Sequence, residues 1–386
     1  MHRLQLHYTL GQDSSPARVR NPLIDLLQAV ASQGSISGAA RALGLSYRHV
    51  WGELRRWEDA LGNGLVVWEK GQSATLTEFG SKLMWAERQA QARLAPQIEA
   101  LRGELERAFA VAFDPQAHVA TLYASHDDAL AALREYALLA DSDNPSAGPL
   151  HLDIRFCGSL DAIRALNEGR CEIAGFHTLQ NPARGSLAER MYKPLLRPGW
   201  HKIIGFAQRT QGLMVARGNP LALQSLQDLQ RSQARYINRA HGTGTRLVLD
   251  ELLAQAGLQG TDLRGYDQTE PSHSAAALAI AAGHADAGLG IELAAHKQGL
   301  DFIPLVQENY FLACLKSVLD QTPTQALLTL LRTAQWQARL DAMQGYRSSY
   351  CGEVLALRSV LPWWSFTSRK TGNRQTGGRP GATGSS

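Results

Sequence analysis

The chain has 386 residues, 39 Lys and Arg against 35 Asp and Glu for a formal net charge of +4, and 44% hydrophobic residues. That length is too great for one ordinary domain and suits two or three with separate cores, while the small positive balance permits a nucleic-acid partner without requiring one. No basic-then-apolar leader opens the chain and no apolar run approaches the roughly 20 residues that cross a bilayer, so a soluble, cytoplasmic protein with no membrane partner is expected.

Residues 1–20 carry no readable pattern and form an N-terminal extension. From Pro22, a good first helical residue after Asn21, the apolar positions Leu23, Leu26, Leu27 and Val30 recur at helical spacing. Ser35 or Ser37 can cap a second helix, whose small Ala39 and Ala40 allow a neighbour to approach closely, and Gly44 permits the sharp turn that ends it. Ser46 then caps a third helix. Val50, Leu54, Trp57 and Leu61 share one of its faces, leaving Tyr47, Arg48, Trp51 and Arg55 mostly on the other. Four arginines against one glutamate between Arg41 and Arg56, with His49 beside them, suit phosphates and guanine edges. The pattern is that of a helix-turn-helix with its recognition helix starting at Ser46; a plain helical hairpin with a solvated charged face is the rival. Ser46, Tyr47, Arg48, His49, Trp51, Arg55 and Arg56 are its candidate DNA contacts.

The stretch "LVVWEKGQSATLT", residues 65–77, reads as two short strands around a Lys-Gly-Gln turn, a wing that places Lys70 against backbone phosphate. Thr77 and Glu78 then open a long helix with an apolar seam through Phe79, Leu83, Leu94, Ile98, Leu101 and Leu105, a seam that wants a partner helix; Pro96 predicts a kink near residues 92–96.

Beyond residue 117 short apolar runs alternate with helical patterns, the texture of an α/β domain. Four strand-to-helix turns carry hydroxyls: at Ser125, His126 and Asp127; at Gly158 and Ser159; through Thr243, Gly244, Thr245 and Arg246 in "YINRAHGTGTR"; and at Ser272 and His273. Each puts free backbone N–H groups at a helix N-terminus, where an anion is favoured, and in an open α/β sheet such turns gather in one crevice. Any one of these Ser or Thr residues is most often a plain cap; four together, one with an arginine, favour a site. Asn238 and Arg239 precede the Thr-rich turn and His177 ends an apolar strand, so both stretches join the candidate ligand residues, with a buried structural histidine the rival reading of His177. Catalysis is disfavoured: there is no G-x-S-x-G elbow, and Ser125, His126 and Asp127 are neighbours at a helix start that point apart. "GTGTR" lacks the ending of a P-loop. Cys157, Cys171, Cys314 and Cys351 show no metal or disulfide spacing and read as buried thiols.

Residues 22 to about 110 resemble the winged helix-turn-helix and linker helix of LysR-type regulators, and "GSISGAARALGLSYRHVWGEL" is closer still to the DNA-binding domain of molybdate-responsive ModE regulators. "SHDDAL", "GSLDAIRALNEGRCEIAGFHTL", "GLMVARGNP" and "SHSAAALAIAAGHADAGLGI" resemble the periplasmic-binding-protein-like domain found behind ModE-like readers and at the end of some molybdopterin-synthesis proteins. The small β-barrel molybdate domains of ModE itself are missing, which weakens the molybdate inference. The resemblance implies an α+β and α/β multidomain chain: a winged helix-turn-helix over 21–78, a linker and dimerisation helix over 79–112, a two-lobed ligand domain over 117–360 (lobe one about 117–200 and 305–360, lobe two about 205–300), and a disordered Gly, Ser, Thr and Arg-rich tail over 368–386.

The expected function is that of a one-component transcriptional regulator, not an enzyme: a homodimer or tetramer that reads double-stranded operator DNA and responds to molybdate, tungstate or an organic anion such as formate, with no other cofactor or metal. A molybdenum-cofactor enzyme and an anion-storage protein are the alternatives.

Overall fold

A computed structural model describes residues 21–68, 73–113, 117–140 and 150–364. The N-terminal extension, Lys70 and the expected tail fall outside these described residues.

Helices α1 (Pro22–Gln33), α2 (Ile36–Leu43) and α3 (Tyr47–Leu61) start where the sequence signals them. The side chains of Asn21, Ser35 and Ser46 each accept from a backbone N–H of the first turn, and Gly44 closes α2 in the left-handed region at φ 67°. Leu27, Val30, Ala39, Val50 and Leu54 make a small core completed by Leu65 and Met84. Strands β1 (Val66–Val67) and β2 (Thr75–Leu76) pair antiparallel as the root of the wing. Helix α4 (Glu78–Phe113) passes as one helix through Pro96, where the sequence predicts a kink.

The remaining chain forms an eight-stranded sheet flanked by helices. Strands β3 (His118–Ala124), β4 (Leu150–Phe156) and β5 (Ile173–Leu179) are parallel and alternate with α5 (Asp128–Ala140) and α6 (Ser159–Asn167); α7 (Leu187–Tyr192) follows. Two 15-residue strands, β6 (His201–Val215) and β10 (Asp301–Leu315), run antiparallel to each other along almost their whole length. Between them an insert holds α8 (Leu226–Ser232), the pair β7 (Asn238–Arg239) and β8 (Thr269–Glu270), α9 (Gly244–Gln255), α10 (His273–Ala281), β9 (Ala287–Ile291) and α11 (Glu292–Lys297). The base is completed by α12 (Thr322–Leu331), α13 (Ala334–Asp341), β11 (Tyr346–Arg347), β12 (Val354–Ala356) and α14 (Leu357–Val360).

Base and insert meet closely. A side chain at Gly158 would strike the backbone of Gly242, and one at Gly244 would strike the ring of His177. Only glycine permits those approaches. Cys171, Cys314 and Cys351 are buried and Cys157 half-buried, with burial pushing all four thiols above their ordinary range, so none is a ready thiolate.

A fully buried cluster pins the base at the mouth of β3. Arg209 on β6 pairs with both Asp127 and Glu308, and the Tyr346 hydroxyl donates to Asp127 at 2.7 Å. Removing one partner of a buried ion pair typically costs about 3–5 kcal/mol, because the other charge stays stranded. Arg209→Met is therefore expected to lower the unfolding free energy by about that amount in denaturant titrations; a loss under about 1 kcal/mol would contradict this reading.

Candidate functional sites

On α3 the exposed side chains are those the sequence picks out. Tyr47 is 53% and Trp51 39% exposed, and Ser46, Arg48, His49, Arg55 and Arg56 also face outward. Their surroundings differ. Arg56 pairs with Glu53, whereas Arg48 has no ion-pair partner among the described residues. Arg55 stacks over Trp68 at 4.7 Å and Trp51 at 5.6 Å while bonding Glu58 at 3.0 Å. Glu58 in turn accepts from the backbone N–H groups of Leu65 and Val66, at 2.7 and 3.2 Å. Arg55 thus braces the wing root against the helix, a duty the sequence pattern gives no hint of, while Arg48 stands free to meet a partner.

The second site lies where base and insert touch. His177 at the end of β5 stacks on Tyr310 with ring centroids 3.9 Å apart, and its Nδ1 lies 3.4 Å from the Ser159 hydroxyl at the start of α6. Tyr310 reaches back to the carbonyl of Ser125 at 3.5 Å. From the insert, Thr245 at the start of α9 lies 3.4 Å from His273 Nε2 at the start of α10, and accepts from Gln211 at 3.2 Å. Burial, followed by the nearby arginines, holds both histidines well below their ordinary range and hence neutral at pH 7.

Arg239 decides the character of this space. It is 2% exposed, and one guanidinium nitrogen donates to the Pro271 carbonyl at 2.9 Å; Nε and Nη1 have no partner among the described residues. Burial and then the charge of Arg209 push it down to about 9. Ser125 Oγ, His177 Nε2 and His273 Nδ1 are likewise buried without partners among the described residues. A buried guanidinium with no directly paired carboxylate among the described residues, whose charge is felt by both neutral histidines, is an environment that an anion would satisfy.

The remaining candidates are already engaged. The Thr243 hydroxyl caps α9 and donates to Ala240, Asn238 bonds Tyr266 and the Arg239 N–H, and Gly244 packs on His177. Ser272 caps α10. His126 lies against Phe156 and Glu99. Arg246, to which the sequence assigns a share of the anion's charge, lies 3.3 Å from Asp250 and stacks on Tyr266 at 3.8 Å, so its charge is answered, although its buried Nε makes no hydrogen bond among the described residues. Arg209, Glu308 and Tyr346 were not among the sequence candidates. They sit far along the chain from Asp127, and no local motif marks them. No carboxylate orients His177 among the described residues, so Ser159 and His177 are not a relay. A groove of about 470 Å³ beside Gln180, Gln208, Asn309 and Arg358 shares none of these residues.

Comparison with known proteins matches residues 23–81 to the bacterial regulatory helix-turn-helix proteins of the lysR family and residues 141–332 to the PBP superfamily domain. The N-terminal domain is a lysR-family helix-turn-helix, and the body behind it is a PBP-superfamily domain. An uncharacterized protein, YvgK, of Bacillus subtilis is 34% identical over 201 residues, which is 52% of this chain and 64% of that protein. An uncharacterized protein from the ferredoxin gene 5′ region of Clostridium pasteurianum is 28% identical over 110 residues, 28% of this chain and 97% of that one. Among solved structures, full-length BenM overlays with a TM-score of 0.41 at 15% identity, covering 84% of this chain and 98% of that one. Full-length LysG from Corynebacterium glutamicum with bound effector Arg overlays at 0.34 and 18% identity, covering 80% and 98%. At these scores the overlays give no residue correspondence. The ModE likeness and the molybdate reading are matched by none of these relatives.

In the lysR-type reader the different duties of two arginines can be separated. Arg55→Ala is expected to lower the unfolding midpoint of the N-terminal domain in calorimetry by the equivalent of about 1 kcal/mol, since a cation–π stack and a half-exposed ion pair are lost. Arg48→Ala should leave the midpoint unchanged, and equal midpoints in the two variants would refute the brace.

Proposed function

We propose that the chain is a one-component regulator that binds operator DNA as a homodimer and is controlled by a small anion held between base and insert, which act as the two lobes of a closing cleft. The observation that carries the ligand reading is Arg239, buried with Nε and Nη1 unpartnered among the described residues and within electrostatic reach of two neutral histidines, with the Ser125 hydroxyl likewise buried and unpartnered. These donors can surround a tetrahedral oxyanion such as molybdate or tungstate, or a carboxylate such as formate. Several charge-assisted hydrogen bonds in a dry cleft suffice for micromolar binding. Thr245 and Ser159 support the ring by fixing His273 and His177.

Titration calorimetry with molybdate, tungstate, sulfate, phosphate and formate tests this. At least one should release heat with the wild type, and Arg239→Met should weaken its binding at least 100-fold while Arg246→Met changes it less than tenfold. Heat from none of the five, or equal affinity in Arg239→Met, would remove the site.

For the reader, α3 enters a major groove with Tyr47, Arg48 and Trp51 leading. Arg48→Ala is expected to cost about 1–3 kcal/mol of operator affinity in gel shifts with genomic upstream DNA; unchanged binding would misplace the reading face. The dimer is carried by the apolar side of α4, where Leu94 is 40% and Leu101 48% exposed; Leu83, which the sequence puts in the same seam, packs instead on the N-terminal core. Changing Leu94 and Leu101 together to Glu should give monomers in light scattering, and an unchanged mass would place the interface elsewhere.

A further inference from the structure

Helix α4 does more than join the two halves of the chain, because its second side is docked on both parts of the ligand body. On the insert, Arg93 grips Glu270 with two bonds of 2.8 and 2.6 Å, and Gln89 donates to the same carboxylate at 3.0 Å. Glu270 is 2% exposed and is the strand partner of Arg239 across β7 and β8. One turn along, Pro96 has no N–H to offer the carbonyl of Ala92, and the Ser272 hydroxyl at the cap of α10 lies 3.4 Å from that oxygen, placed to donate to it. The proline opens a backbone acceptor and the insert fills it. On the base, Arg107 pairs at 3.0 Å with the fully buried Asp153 of β4, and Gly103 lies against Ile154 of β4 and Arg134. The backbone of Glu99 accepts from Arg134 at 2.9 Å, and its carboxylate lies 3.6 Å from His126, each atom otherwise unpartnered.

We propose that α4 is a shared wall of the ligand site, in which Arg93 and Gln89 are positioning residues that hold Arg239 through Glu270, so that the dimer helix itself registers where the insert stands relative to the base. This rests on the proposed anion site for its ligand but on the helix contacts for its geometry. Anion binding that draws Arg239 inward shifts its strand partner Glu270, and Glu270 cannot move without either breaking a buried carboxylate from Arg93 or carrying that side of α4 along. The base-side contacts keep the far end of the helix fixed, so the change is delivered as a tilt of the seam that carries Leu94 and Leu101.

The test uses the full chain, with the double variant Gln89→Leu, Arg93→Met and, on the base side, Arg107→Met. Hydrogen–deuterium exchange without ligand should be at least tenfold faster at residues 269–276 in the first and at residues 150–156 in the second. Exchange unchanged at both places overturns the proposal whatever the anion does. With sodium molybdate as probe, operator affinity in its absence should stay within twofold of wild type in the double variant, while the molybdate-induced change in that affinity falls toward onefold. Arg93→Lys, which keeps a charged bond to Glu270, should restore part of it. A molybdate effect as large as in wild type overturns the coupling. If molybdate gives no heat with the wild type, the anion reading falls instead, and the exchange result alone decides whether α4 straps the two parts.

Discussion

Two buried arginines organise the ligand body, and the difference between them sets its chemistry. Arg209 faces Asp127 and Glu308, so its charge is answered twice and the cluster locks β6, β10 and the start of α5 together. Arg239 pairs directly with no carboxylate among the described residues, although the charges of Asp127 and Glu308 reach it; burial and then the charge of Arg209 push its guanidinium down to about 9, and its Nε and Nη1 have no partner there. A charge in that state is costly to keep, and a protein retains one where a ligand of opposite sign offsets the cost. Under the proposed function, the neutral histidines His177 and His273, held uncharged by burial, would leave an anion a single strong partner in Arg239.

The N-terminal reader was almost wholly legible in the sequence because its determinants are local. Asn21, Ser35 and Ser46 cap the helices they precede, and Gly44 turns where a left-handed residue is needed. What could not be read is side-chain competition within the surface: Arg55 and Arg48 look equivalent along the helix, yet only Arg55 falls beside Trp68 and Glu58. That distinction depends on how the wing folds back. In the PBP-type body the four hydroxyl-bearing turns were visible, but which arginine is left without a paired carboxylate was not. Arg246 sits in the Thr-rich turn and reads as the natural candidate, while Asp250, four residues on, takes it; the helical i,i+4 spacing was the available signal. Arg209 and Tyr346 meet Asp127, and Glu308 meets Arg209, across separations of 82 to 219 residues, which no local pattern encodes.

Helix α4 illustrates how one sequence feature can serve two surfaces. Its apolar positions Leu94 and Leu101 face outward, while the side bearing Gln89, Ala92 and Gly103 meets the insert and the base. Pro96 reads in sequence as a flaw in a helix. In the fold it frees a carbonyl beside the Ser272 hydroxyl, so a local loss becomes a tertiary contact. The lysR-type reader, the linker and the PBP-type body are thereby in continuous physical contact from Arg239 to the outward seam.

The proposed role of the buried Arg239 is to hold an anion between base and insert. An anomalous difference map at the tungsten absorption edge, from crystals of the full chain grown with tungstate, tests it most directly. We expect one strong peak within hydrogen-bond distance of Arg239 Nε and Nη1 and near Ser125. A peak only in the groove beside Gln180 and Asn309, or no peak with Arg239 unpaired in well-defined density, would contradict it.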